Sequence, residues 1–121
     1  MTYKSSPVGN EISCVMHGIN KEILNDPEYL ERLLLDALNS EKFNILGKLS
    51  HKFNPHGVSV LILLSESHAS FHTYPEYNSL VFHIYTCRGP GDGRKTYEFI
   101  KEKLNPTSVD FREKPIKVVI E

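Results

Sequence analysis

The run Val58-Ser59-Val60-Leu61-Ile62-Leu63-Leu64 constrains the fold more than any other stretch of the chain. It is apolar at every position but Ser59 and too short for a buried helix. It reads as a central strand covered on both faces. The turn residues Asn54-Pro55-His56-Gly57 lead into it. Polar Ser65-Glu66-Ser67-His68 leads out of it, towards a second strand-like segment, Ala69–Tyr74. The chain therefore reverses at or beside 65–68, and the sheet there is an antiparallel hairpin.

The flanking segments extend this unit. Residues 1–9 read as a loose tail. Glu11–His17 reads as a strand with Ile12, Cys14 and Met16 on one face. Asp26-Pro27-Glu28 has the chemistry of a helix start: a capping carboxylate, a proline in the first turn and an acid at the positive dipole end. Leu30, Leu33, Leu34, Ala37 and Leu38 follow at helical spacing, to an end near Asn39–Ser40. Strands are expected over Asn44–Phe53 and Leu80–Cys87, with a turn at Pro75-Glu76-Tyr77-Asn78. A second amphipathic helix spans Arg94–Leu104 after the loop Gly89–Gly93. Two late strands are expected, Val109–Phe111 and Ile116–Ile120. The predicted fold is α+β: a two-layer sandwich of an antiparallel sheet with two helices on one face. At 121 residues the chain suits a single domain, 1–121, and a core of that size is helped by dimerisation.

Charge excludes several partners. Fourteen basic residues nearly balance fifteen acidic ones, for a net charge of −1, so neither nucleic acid nor an anionic membrane is expected. No run reaches a membrane span of about 18 apolar residues, and Met1–Asn10 lacks a signal-peptide core. Cys14 and Cys87 have neither zinc-site nor disulfide-framework spacing. A cytoplasmic protein with reduced thiols is the expectation. His51, His56, His68, His72 and His83 lie on different strands and turns, so no metal is expected.

The segment Leu63–Tyr77 concentrates the residues able to do chemistry. His72 and Tyr74 share a strand face with Ser70; Cys87 lies on a strand where Tyr85 and His83 share its face. Taken singly, Ser67 is a turn residue, His72 a strand histidine and Cys87 a small buried side chain. Together, Leu64-Ser65-Glu66-Ser67-His68 and His72-Thr73-Tyr74-Pro75-Glu76 closely resemble the core motif of the prokaryotic-type, pyruvoyl-dependent S-adenosylmethionine decarboxylases. His51-Lys52-Phe53, Pro55 and Gly57-Val58-Ser59 upstream, and Tyr85-Thr86-Cys87 downstream, match in order and spacing. The resemblance spans roughly Leu24–Leu104.

The resemblance implies self-cleavage between Glu66 and Ser67, into a β-chain of residues 1–66 and an α-chain of residues 67–121. Ser67 would become a covalent pyruvoyl group, to which the substrate amine is joined as a Schiff base. Ser59 matches the serine that supports cleavage, and His72 the base that removes the Ser67 α-proton. Cys87 matches the acid that returns a proton after carbon dioxide leaves. Phe53 and Tyr74 match aromatics around the substrate, and Glu76 a carboxylate that binds ribose hydroxyls. The implied substrate is S-adenosylmethionine, its product feeding spermidine synthesis. The implied assembly is a homodimer of αβ protomers with shared active sites.

The chain departs from the family at Asn10 and Glu11 (usually a basic residue and His), at His83 (usually an acid) and at Arg88 (usually Gly). These positions are expected at the substrate pocket or dimer contact. Two alternatives compete. One is an arginine or ornithine decarboxylase of the same family. The other is a non-catalytic paralogue acting as a regulatory partner, against which the intact Ser67, His72 and Cys87 set argues.

Overall fold

Short turns join most of the strands, so neighbours in sequence pair antiparallel. The computed structural model describes residues 5–65 and 67–120. The strands are β1 (Val8–His17), β2 (Ile45–Lys52), β3 (Val58–Leu64), β4 (Ser67–Tyr74), β5 (Ser79–Thr86) and β6 (Ser108–Lys117). They form one sheet in the order β2-β3-β4-β5-β1-β6. A one-turn helix α1 (Lys21–Leu24) and two longer helices, α2 (Pro27–Ser40) and α3 (Arg94–Leu104), complete the fold with a 3-10 turn at Pro75–Tyr77.

Alternation along each strand sends one set of side chains to the helices. Ile12, Cys14 and Met16 of β1, Val58, Val60, Ile62 and Leu64 of β3, Phe71 of β4 and Phe82 and Ile84 of β5 are buried there. Leu30, Leu34 and Leu38 of α2 and Ile100 of α3 close the core from the other side. Phe71 and Phe82 meet edge-on at 5.9 Å between centroids, a favoured aromatic geometry. The buried Thr73 hydroxyl donates to the Leu24 carbonyl (2.7 Å) and accepts the Val58 N–H (2.8 Å). Burial pushes the Cys14 thiol up to about 12, so it stays protonated, as expected of a core residue.

Helix limits follow the sequence. Asp26 accepts the Tyr29 N–H at the start of α2, and Asn105, in the left-handed conformation, ends α3. Other expectations need correction. β1 starts at Val8 rather than Glu11, because β6 pairs with it from Val8 (opposite Lys117) to His17 (opposite Ser108). The two late strands are one continuous strand, β6. Pro115 is accommodated within it because β6 is an edge strand, where a missing N–H costs little. β4 begins at Ser67 rather than Ala69. Most consequentially, β3 is covered on one face only. Within one chain both long helices pack on that face, leaving Leu61 46% and Leu63 56% exposed on the opposite one. Among the described residues no helix is long and apolar enough to cross a membrane.

Candidate active site

The residues singled out in the sequence fall into two groups at opposite ends of β3 and β4. At one end Leu64 pairs with Ser67, the first residue of β4. Ser67 is buried. The backbone N–H of Cys87, just past β5, donates to Ser67 Oγ at 3.2 Å. The Cys87 carbonyl accepts the Ser6 N–H at 3.3 Å. Glu66, on the other side of the expected cleavage point, lies outside the described residues.

At the other end Ser59 of β3 faces His72 of β4 across the ladder, with Ser59 Oγ 2.8 Å from His72 Nδ1. Phe53 and Tyr74 are there too, both half-exposed. The Phe53 N–H donates to the Gly57 carbonyl at 2.8 Å, closing the β2–β3 turn. Glu76 Oε1 lies 3.5 Å from His56 Nε2, a partner the sequence reading did not assign to it. Aromatic faces beside a carboxylate suit a ligand with a flat ring and hydroxyl groups.

Within one chain the two groups do not meet. Ser67 and His72 are five residues apart on one strand, roughly 16 Å at the rise of extended chain, and odd spacing points them to opposite faces. The strand geometry therefore keeps them apart within a single protomer.

The outer face between the groups carries charge. His83 Nε2 and Glu11 Oε2 form an ion pair at 3.0 Å. The His68 ring stacks beside His83 at 5.5 Å and beside Tyr85 at 6.2 Å. Burial lowers the His68 pKa below the ordinary histidine range; His83 lowers it further and Glu11 opposes both. Burial raises the Tyr85 hydroxyl, and the neighbouring Cys87 thiol and Glu11 raise it further. Gly9 makes room for that hydroxyl: a Cβ there would lie 2.6 Å from it. Of the other two family departures, Arg88 is exposed and Asn10 is buried. Asn10 Nδ2 donates to the Asp92 carbonyl at 2.7 Å and to Glu113 at 2.9 Å. Among the described residues no cluster of His, Cys, Asp or Glu could hold a metal ion.

Known proteins resemble this arrangement along nearly the whole chain. The profile of the S-adenosylmethionine decarboxylase family matches residues 10–115. The chain is 36% identical over 107 residues to S-adenosylmethionine decarboxylase proenzyme 2 of Bacillus anthracis, covering 88% of this chain and 87% of that protein. It is 32% identical over 106 residues to the S-adenosylmethionine decarboxylase proenzyme of Picrophilus torridus, covering 88% and 82%. The crystal structure of adenosylmethionine decarboxylase from Aquifex aeolicus superposes with a TM-score of 0.86 at 25% identity, covering 98% of this chain and 96% of that one.

Proposed function

The chain belongs to the S-adenosylmethionine decarboxylase family, and from that premise we propose that it cuts its own backbone between Glu66 and Ser67 and then decarboxylates S-adenosylmethionine. The observation that carries the reading is the Cys87 N–H on the hydroxyl of buried Ser67. An N–H aimed at a hydroxyl oxygen favours the deprotonated, nucleophilic form. It also gives residue 67 a polar environment that fits the pyruvoyl group made from it. That group supplies a ketone able to capture the substrate amine and to withdraw the electrons left as carbon dioxide departs.

The chain's own residues divide the remaining work. Ser59 holds the His72 ring through Nδ1, leaving Nε2 to take the Ser67 α-proton during cleavage. The Cys87 thiol returns a proton to the substrate. Phe53 and Tyr74 stack on the base and face the sulfonium cation, and Glu76 accepts the ribose hydroxyls. A thiol donor fits a reducing compartment, and we place the enzyme in the cytoplasm.

Because His72 cannot reach Ser67 of its own chain, the reading requires a homodimer. Each site would join Ser67 and Cys87 of one protomer to Ser59, His72, Phe53, Tyr74 and Glu76 of its partner. The open sheet face supports this: Leu49, Leu61 and Leu63 leave it apolar beside β4, a surface suited to burial against a second copy.

The family's relatives bear the S-adenosylmethionine decarboxylase name, which favours that substrate over arginine or ornithine. The test is carbon dioxide release from the three substrates side by side, with the mass of the α-chain measured on the same sample. Release from S-adenosylmethionine by a chain beginning in pyruvoyl is expected. Turnover by uncut chains carrying an ordinary serine at 67 would overturn the reading.

A further inference from the structure

The segment that leaves β5 is fastened around Cys87 by a network centred on Arg88. Arg88 Nε and Nη2 donate to the two carboxylate oxygens of Asp92 at 2.8 and 3.0 Å. Its Nη1 and Nη2 also donate to the carbonyls of Lys42 and Glu41, at 3.1 and 2.9 Å. The guanidinium carbon lies 3.6 Å above the centre of the Phe43 ring. One side chain thus joins the loop after β5 to the connection between α2 and β2.

The network closes on itself. Asp92 accepts the Thr86 hydroxyl at 2.6 Å, and Thr86 Oγ1 accepts the Arg88 N–H at 3.3 Å. Burial raises the Asp92 pKa, but the Arg88 guanidinium and the Thr86 hydroxyl outweigh it and hold the carboxyl below its ordinary range. From the same connection the Glu41 carboxylate accepts the N–H groups of Gly93 and Thr96, each at 2.8 Å. Glu41 thereby caps α3, whose first residues have no side-chain cap of their own. Residues 86, 88, 92 and 93 are all held, and Cys87 sits between the first two.

We propose that Arg88 is a positioning residue for self-cleavage: it holds the Cys87 backbone N–H on the Ser67 hydroxyl and so sets the rate at which Ser67 attacks the Glu66 carbonyl. The inference rests on the function proposed above. In this step a bond forms between Ser67 Oγ and the Glu66 carbonyl carbon, and the bond from that carbon to the Ser67 nitrogen breaks. The hydroxyl proton ends on the released amine, so an ester replaces the amide with no other reactant. Only a planar fork of donors can meet both Asp92 oxygens and two carbonyls while stacking on a ring. A lysine would keep the charge and lose the geometry.

Arg88→Lys, Asp92→Asn and the double variant test this as full chains, made in a cell-free synthesis reaction and chased on gels. Each single change is expected to slow cleavage about tenfold or more, as small misplacements of reacting groups do. The double variant should be no slower than the slower single, because both act through one strut. Hydroxylamine, which splits esters, identifies the step. It should not rescue uncut Arg88→Lys chains, which have not formed the ester, whereas it should split His72→Ala chains, which have. Melting temperatures, measured in a Ser67→Ala background, check that each variant is folded at the assay temperature. If Arg88→Lys is not, Asp92→Asn carries the same expectations. Cleavage of the folded variants at the wild-type rate overturns the proposal, and so does hydroxylamine splitting of uncut Arg88→Lys chains. Both results leave the proposed function standing; a wild-type chain that never cuts itself overturns both.

Discussion

Ser59 Oγ and His72 Nδ1 lie 2.8 Å apart across the β3–β4 ladder, towards the opposite end of β4 from Ser67. A hairpin register fixes this separation, and rotamer changes cannot close roughly 16 Å along one strand. The residues proposed for the chemistry are thus divided between the two ends of one strand, and the proposed function needs two chains to bring them together.

Complementation follows from that division. Ser67→Ala and His72→Ala chains, each expected to remain uncut alone, should form a mixed dimer with one intact site. Co-expressed in equal amounts, the His72→Ala chain should be cut, to at most about half of the His72→Ala chains and so about a quarter of all chains, since random pairing makes mixed dimers about half the total. Gels with distinguishable tags measure it. Failure of His72→Ala chains to be cut in demonstrated mixed dimers would show that His72 does not act across the interface.

The proposed mechanism uses Cys87 through two separable groups, its backbone N–H and its thiol. Cys87→Ala keeps the N–H that reaches Ser67 Oγ, so self-cleavage should persist. Turnover should drop by about 10²–10⁴-fold, the usual worth of a positioned proton donor. Cleavage gels and carbon dioxide release from one preparation check both halves; full retained turnover would remove the thiol from the mechanism.

The open face predicts its own disruption. Leu61 is 46% exposed in the protomer, so Leu61→Glu should leave the protomer's melting temperature in dilute solution nearly unchanged. It should shift sedimentation from dimer to monomer and slow cleavage about tenfold or more, since a buried unpaired charge opposes the interface. A Leu61→Glu chain that stays dimeric and cuts normally would place the interface elsewhere.

His68 gives a pH dependence of definite sign. Its pKa is lowered in the fold by burial and His83, against Glu11, with Tyr85 beside it. The unfolded chain therefore binds that proton more readily. This contribution to stability is full above the ordinary histidine pKa of about 6.5 and is lost as pH falls through the lower folded value. Melting curves in a Ser67→Ala background should fall more steeply below about pH 6.5 with His68 present than in His68→Gln. Equal slopes would show that His68 titrates alike in both states.

Local order was legible in the sequence because it is set by neighbours in the chain. Asp26-Pro27-Glu28 started α2 as read, Arg94–Leu104 formed the second long helix, and Val58–Leu64 formed a strand to the residue. The Ser67, His72, Cys87 and Ser59 set was visible as a spaced motif. What the sequence could not supply depended on pairing across long separations. β6 is continuous only because β1 provides its ladder. The Glu11–His83 pair joins residues 72 positions apart, and Arg88 reaches carbonyls 46 and 47 positions away. The apolar run of β3 predicts cover on both sides because composition measures hydrophobicity, not which face a helix occupies. The tertiary structure alone decided that the helices of a chain cover only one face of its sheet, and that His72 and Ser67 stand towards opposite ends of a single strand. Hydrogen-bond register and helix placement, rather than residue type, determine both.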